Sequence, residues 1–233
     1  MEKVKKAKRG FALTGAGISA PSGIPTFRGE DGFWKDKDPH ELASPSGFMK
    51  DPELVWDWYN YRRKIIRNSE PNPAHYALTK IEDSFEDFTI ITQNVDNFHQ
   101  QAGSKNVIEL HGNIFRNKCN ECGKLFGDIN SKELPHCEVC GGLIRPDVVW
   151  FGEALSREVL ETTLQWCENC DICMVIGTSA MVQPAASIPL ISREKGAFVI
   201  EINKNSTVIS SYVDESIIGD VSTVLPLLCK IRT

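Results

Sequence analysis

The chain has 233 residues, 41% of them apolar and 24% charged, with a formal net charge of −5 at pH 7. That is enough for one large domain, or a domain with a smaller insert, around a true core. The negative balance removes any general attraction to nucleic acid or acidic membranes, and no apolar run nears the ~20 residues that cross a bilayer. No signal peptide precedes the first strand. A cytoplasmic protein is expected, so its eight cysteines are not read as a disulfide framework.

Basic residues at the start (Lys3, Lys5, Lys6, Lys8, Arg9) read as a solvated helical turn. The first predicted strand, over 10–14, runs into Gly15, Ala16 and Gly17. Residues without bulk let a backbone turn tightly and let a ligand approach the main chain. Such a strand end is the usual start of a dinucleotide pocket, with phosphates held by backbone N–H groups. A dehydrogenase would continue into a long helix. Here Pro21, Gly23, Pro25 and Gly29 fall within nine residues and forbid one. The turn opens instead into an irregular loop carrying Phe27 and Arg28. Residues 30–72 follow as a helical insert, on which Tyr59 and Arg62 lie three apart and share a face. By composition alone that pair reads as an exposed Arg beside a half-buried Tyr.

A helix over 73–82 precedes a strand over 88–92, whose end carries Gln93, Asn94, Val95 and Asp96. Polar side chains at the C-terminal end of a parallel strand face the ligand crevice. Asn94 or Asp96 as a helix N-cap is the plainer reading, and both hold together. The strand over 106–109 leads to His111 and Gly112. A histidine at a strand end, with an ordinary pKa of about 6.5, suits general-base work near neutrality.

Residues 116–145 contain two C-x-x-C pairs, Cys119 with Cys122 and Cys137 with Cys140, each followed by a glycine. Four thiolates in that spacing predict one closed, structural Zn²⁺ site with Zn–S bonds of about 2.3 Å. His136 is a spare ligand beside a complete sulfur set. Cys167, Cys170 and Cys173 lack the fourth cysteine and proline of an iron–sulfur run. With Cys229 they read as structural thiols. A helix over 156–167 and a strand over 171–176 lead to Gly177, Thr178 and Ser179. A helix over 184–195, a strand over 197–202 ending at Asn203, and a helix over 221–231 complete the chain.

Strands alternating with helices predict an α/β fold with a Rossmann-like doubly wound parallel sheet. The sheet domain is expected from 1–29, 73–115 and 146–233. The smaller lobe is expected from the helical insert 30–72 and the zinc-binding ribbon 116–145.

In order along the chain, Gly15-Ala-Gly-Ile-Ser19, Pro25-Thr-Phe-Arg28, Gln93-Asn-Val-Asp96, His111-Gly112, the paired cysteines, Phe151-Gly-Glu153 and Gly177-Thr-Ser179 resemble the sirtuins. Pro21 stands where the family more often has Glu, and Asn97 where many members have Gly. The resemblance implies an NAD-dependent lysine deacylase that consumes NAD as a co-substrate. Its products are free lysine, nicotinamide and O-acyl-ADP-ribose. It implies His111, as base on a ribose hydroxyl, and Asn94 as catalytic residues. Gly15, Ala16, Gly17, Ser19, Ala20, Pro25, Thr26, Phe27, Arg28 and Trp34 would cradle the cofactor. Gln93, Asn94, Val95 and Asp96 would hold its ribose and nicotinamide. Gly177, Thr178, Ser179, Asn203 and Val221 would hold its adenosine half. Val149, Phe151, Gly152 and Glu153 would offer a backbone edge to an acyl-lysine protein or peptide.

Sirtuins of the malonyl- and succinyl-removing class carry Tyr-x-x-Arg on this helix, which Tyr59 and Arg62 match, with Ala43 as the small residue that leaves room. A guanidinium fork binds a carboxylate bidentately, and a phenol adds a donor. The resemblance therefore implies a desuccinylase and demalonylase with some acetyl removal. Other readings are a plain lysine deacetylase, a mono-ADP-ribosyltransferase, or a hydride-transferring dehydrogenase. The last lacks a second strand ending in an acidic residue about twenty residues on. A zinc ribbon that binds nucleic acid is opposed by Glu121, Asp128, Glu133 and Glu138. No nucleic-acid or membrane partner is expected, and a monomer fits.

Overall fold

The computed structural model describes residues 2–27, 32–33 and 38–232. In chain order it begins with α1 (Glu2–Lys6), β1 (Arg9–Thr14), two 3-10 turns (Ala16–Ile18 and Ala20–Ser22), α2 (Pro39–Leu42), α3 (Pro45–Lys50), α4 (Pro52–Arg67) and α5 (Pro73–Asp83). It continues through β2 (Asp87–Thr92), α6 (Phe98–Gln101), β3 (Val107–Glu109), β4 (Gly112–Cys119), β5 (Leu125–Phe126) and β6 (Ile144–Val148). The last third holds α7 (Arg157–Asn169), β7 (Ile172–Ile176), a 3-10 turn (Ala185–Ser187), α8 (Ile188–Glu194), β8 (Phe198–Asn203), β9 (Glu215–Ile218) and α9 (Val221–Arg232).

Strands that are apolar on both faces must be covered on both faces. Residues 10–14 and all of β7 are buried, and they lie side by side at the sheet centre. The order is β3-β2-β1-β7-β8-β9, every pair parallel. On one face Ala12, Ile90 and Ile202 pack with Leu78 of α5 and Leu225 of α9. On the other, Phe11, Val175 and Val199 pack with Cys167 of α7 and Ile188 of α8. The chain winds outward from β1 through β2 and β3, then restarts at β7 on the other side. That reversal leaves a crevice at the C-terminal ends of β1 and β7. The doubly wound sheet is as the alternating pattern predicts.

The smaller lobe joins α2, α3 and α4 to an antiparallel sheet of order β5-β4-β6. Helix α4 starts at Pro52, where the missing N–H is harmless, and Asp51 caps it by accepting from the Leu54 N–H at 3.0 Å. Arg63, buried in α4, donates to the Ile114 carbonyl at 2.8 Å and to Asn117 Oδ1 at 2.6 Å, which fixes the helix on β4. The small sheet reaches past the 116–145 ribbon on both sides, because Gly112 pairs with Val148.

Two details differ from the sequence expectation. The helix expected over 184–195 is divided into a 3-10 turn and α8. Pro189 falls in the first turn of α8, where its missing N–H is harmless, and so marks a helix start within the expected span. Strand β9 carried no readable pattern. Only its pairing with β8, from Ile200 with Glu215 to Asn203 with Ile218, makes it a strand. Cys167, Cys173 and Cys229 are buried, and burial pushes the Cys170 thiol up to about 12. Among the described residues, no helix is long and apolar enough to cross a membrane.

Two buried histidines, His75 and His99, sit beneath the crevice with rings 5.1 Å apart. His75 Nδ1 accepts from the Asn72 N–H at 3.2 Å, and His99 Nε2 lies 2.9 Å from Thr14 Oγ1. Burial holds His75 down to about 4 and His99 well below its ordinary value. On unfolding both return to about 6.5. The unfolded chain then binds more protons as pH falls below that value, so stability is lost between about pH 6.5 and pH 4. His75 alone accounts for about 3 kcal/mol by pH 4. The expected result is a urea midpoint that drops from pH 7.5 to pH 5, and drops less in His75→Gln. A midpoint flat across that range would overturn the neutral pair.

Candidate functional site

The crevice begins where two glycine turns touch. The Gly17 N–H donates to the Gly177 carbonyl at 2.7 Å, and the Gly15 N–H to the Ile176 carbonyl at 3.0 Å. A Cβ on Gly17 would stand 2.8 Å from Gly177 Cα, and one on Gly15 would stand 2.7 Å from Thr178 Cβ. These glycines are thus needed for contact between turns as well as for ligand approach.

The strand ends then supply polar groups. Asn94 Nδ2 donates to the Gly15 carbonyl and to Ser19 Oγ, both at 3.2 Å. That engages its amide hydrogens and leaves Oδ1 for the crevice. His111 Nδ1 lies 3.0 Å from the Gln93 carbonyl. A carbonyl only accepts, so Nδ1 carries the proton and Nε2 keeps its lone pair. Burial lowers the His111 pKa, partly offset by the Gln93 carbonyl, so the ring is neutral at pH 7. Gln93 Nε2 donates to Thr178 Oγ1 at 3.0 Å, and Asn203 Nδ2 to the Thr178 carbonyl at 2.7 Å.

These groups line one cleft of about 1070 Å³ between the sheet and the smaller lobe. It is at the top of the roughly 300–1,000 Å³ usual for ligand sites. Gly15, Ala16, Gly17, Ala20, Pro25, Thr26, Phe27, Gln93, Asn94, Val95 and His111 stand on its wall. So do Arg62, Val149, Phe151, Gly152, Glu153, Gly177, Thr178, Ser179, Asn203 and Val221. Ser19, Asp96 and Tyr59 do not; they sit one layer behind. Ser19 Oγ donates to Asp96 Oδ2 at 2.7 Å, and burial pushes the Asp96 carboxyl up. Asp96 also takes the Phe98 N–H at 3.0 Å, while Asn97 occupies the left-handed region with φ 67°. Arg28 and Trp34 lie outside the described residues. Sequence reading missed Trp150 and the run Lys204, Asn205, Ser206 and Thr207 on the wall. The only signal of the 204–207 run was a polar stretch directly after a strand end. Amides, hydroxyls and glycine main chain stand among apolar side chains on the wall, a set that fits a dinucleotide.

The four cysteines of the small lobe converge. Their Sγ atoms all lie within 4.8 Å of one another. A tetrahedron with bonds of about 2.3 Å has edges of about 3.8 Å. Cys122 and Cys137 are 3.8 Å apart, and Cys119 and Cys140 are 3.4 Å apart. Gly123 and Gly141 turn the chain at φ 72° and 75°, returning their N–H groups to the Cys119 and Cys137 carbonyls. One structural zinc fits, and His136 is exposed with Nδ1 3.1 Å from the Gly141 carbonyl.

A doubly wound sheet with a glycine turn at its reversal point defines a nucleotide-binding α/β protein, here with a second lobe whose four cysteines fit a metal ion. Comparison with known proteins narrows the class. The Sir2 family model matches residues 15–184. The NAD-dependent protein deacylase 1 of Caldanaerobacter subterraneus subsp. tengcongensis is 50% identical over 214 residues, covering 90% of this chain and 88% of its own length. The NAD-dependent protein deacylase of Thermococcus kodakarensis is 48% identical over 234 residues, with 97% and 91% covered. A solved Sir2 homologue–NAD complex superposes with a TM-score of 0.93 at 45% identity, covering 99% of this chain and 91% of that one. A Sir2–p53 peptide–NAD⁺ complex gives a TM-score of 0.88 at 32% identity, with 99% and 95% covered. The chain belongs to the Sir2 family.

The zinc site carries a direct test. Purified protein is expected to hold one zinc per chain by elemental analysis. Removing it with a strong chelator, or substituting Cys140→Ser, should lower Tm by about 10 °C or more. An unchanged Tm after complete metal removal would show that the lobe does not depend on the ion.

Proposed function

We propose that the cleft removes acyl groups from protein lysines with NAD as the consumed co-substrate, and that it prefers acyl groups ending in a carboxylate, such as succinyl and malonyl, over acetyl. The names of the relatives and the peptide-bound structural neighbour support the general reaction. Bound NAD supplies an activated ribosyl carbon and the ADP-ribose that receives the acyl group.

The chain's own residues fit that task. Neutral His111 has Nε2 free to take a proton from a ribose hydroxyl. Asn94 Oδ1 meets positive charge as nicotinamide departs, where a cationic side chain would oppose it. The segment after β6 is tied down by buried and part-buried hydrogen bonds. Arg145 donates to both Glu153 oxygens at 2.7 Å and to the Val148 carbonyl at 2.9 Å. Glu153 also takes the Trp150 N–H at 2.9 Å. Its carboxylate is therefore engaged inside the protein, so Glu153 would shape the peptide edge and not touch the peptide through its side chain.

The acyl preference rests on one observation, the state of Arg62. Three guanidiniums are buried near the cleft. Arg145 has its carboxylate, and Arg63 has a carbonyl and two amide oxygens. Arg62 is 4% exposed and lines the cleft, yet it forms no ion pair and its Nε has no hydrogen-bond partner among the described residues. The rings of Phe27, Phe33, Tyr59 and Trp58 surround it at 5.0, 5.2, 5.3 and 6.0 Å. Burial lowers its pKa, opposed by the neighbouring Tyr59 and Asp96. Behind it, the Trp150 Nε1–H donates to Tyr59 Oη at 2.8 Å. The phenol oxygen accepts there and keeps its own proton to give. An arriving carboxylate would meet Arg62 on the cleft wall, with Tyr59 in the layer behind it.

The deciding measurement is kcat/KM on succinyl- and acetyl-lysine peptides for wild type, Arg62→Met and His111→Ala. His111→Ala should abolish both activities while the fold and zinc remain. Arg62→Met should lose about 2 kcal/mol or more of the succinyl preference, ~30-fold, and keep acetyl activity. Equal loss of both activities in Arg62→Met would assign Arg62 to the aromatic core and leave a plain deacetylase.

A further inference from the structure

Glu201 is fully buried on β8. It shares its face of the sheet with Val199, toward the core that also holds Ile209. No Lys or Arg pairs with it among the described residues. Three hydroxyls from two separate segments serve it instead. Thr207 Oγ1 donates to Oε1, while Ser210 Oγ at 2.5 Å and Ser216 Oγ at 2.9 Å donate to Oε2. A carboxylate can accept all three. A protonated carboxyl would have to donate to one of them, so the arrangement suits the ionised form. Ser210 Oγ in turn accepts from the Thr207 N–H at 2.7 Å, and Thr207 Oγ1 from the Ile209 N–H at 3.3 Å. The carboxylate thus ties the 204–210 loop to the end of β8 and to β9.

That loop is a wall of the cleft. Lys204, Asn205, Ser206 and Thr207 line it beside Asn203 and Val221. Thr207 does both things at once, touching the cleft and donating to Glu201. We propose that Glu201 is a positioning residue for the nucleotide: it holds the 204–210 loop as the wall against the adenosine half of NAD, without touching it. This rests on the NAD-dependent reading and adds a residue to it. The loop has few other anchors, since Lys204, Asn205, Ser206 and Val208 are exposed and Ile209 is its buried apolar residue. Without the carboxylate it has no single point on which to converge.

The test uses the full-length zinc-loaded protein with Glu201→Gln, Ser210→Ala and Ser210→Thr. Calorimetric binding of ADP-ribose to wild type comes first; no binding would sink the NAD reading itself. Given binding, Glu201→Gln should weaken ADP-ribose and raise KM for NAD by about tenfold. kcat at saturating NAD and KM for the acyl peptide should stay within about twofold. Ser210→Ala should move KM for NAD in the same direction, and Ser210→Thr, which restores the hydroxyl, should return it to the wild-type value. Unchanged ADP-ribose affinity in both Glu201→Gln and Ser210→Ala would overturn the proposal. So would a loss of kcat equal to the rise in KM, which marks general damage. If Glu201→Gln does not fold, the Ser210 pair decides alone.

Discussion

The contact between the glycine turns after β1 and β7 constrains the rest of the molecule. Gly17 and Gly177 approach so closely that the backbones hydrogen-bond at 2.7 Å and neither position has room for a Cβ. The contact lies where the strand order reverses, the one place in such a sheet where two ends diverge and a ligand can enter. Gln93 and Asn203, from the strands on either side, both bond to Thr178 next to it. The cleft wall is therefore a set of strand ends held in register by one backbone contact. Its polar groups inherit the rigidity of the sheet, as preorganised donors and acceptors require.

The smaller lobe depends on buried cations as much as on apolar packing. Arg63 fastens α4 to β4, with its guanidinium 4.8 Å from the Trp56 ring. Arg145 holds the segment after β6 against Glu153, stacked 3.5 Å from the Trp150 ring. Each has an acceptor at every guanidinium nitrogen, which makes them structural fasteners. Arg62 is buried to a similar degree among four rings but lacks an acceptor at Nε. Burying a guanidinium N–H with no acceptor costs stability unless a partner arrives later. One helix thus carries a finished cation and an unfinished one at adjacent positions, and only the unfinished one faces the cleft. A zinc ion held by the four cysteines would play a parallel part in the lobe, beside a strand of only two residues.

Much of this was legible in the chain. The alternation of apolar runs and helical patterns carried the doubly wound sheet, since only buried parallel strands read as continuous apolar runs. The C-x-x-C pairs carried the metal site, because ligand spacing is a local property. The proline-broken glycine loop was read correctly as irregular, and two 3-10 turns stand there. Strand β9 escaped because a half-exposed edge strand of four residues has almost no pattern of its own. Ser19 and Asp96 were placed on the cleft by motif order, yet they face each other behind its wall. Which side of a loop points inward depends on what packs behind it. The 204–207 run and Trp150 escaped for the same reason. Polar loops and tryptophans follow strands in many places that bind nothing.

The sequence alone determined the class of fold, the sulfur ligands and the residues that line up with the sirtuin motifs. Those are set by spacing along one segment, which needs no partner to be read. Tertiary structure decided what each side chain is free to do. It left His111 neutral, with Nε2 unprotonated, by burying it against the Gln93 carbonyl. It occupied Glu153 with Arg145, and it separated Arg62 from Arg63, though both are arginines one residue apart on the same helix. Hydrogen-bond satisfaction is a property of surroundings drawn from distant parts of the chain, so it exists only once the chain has folded.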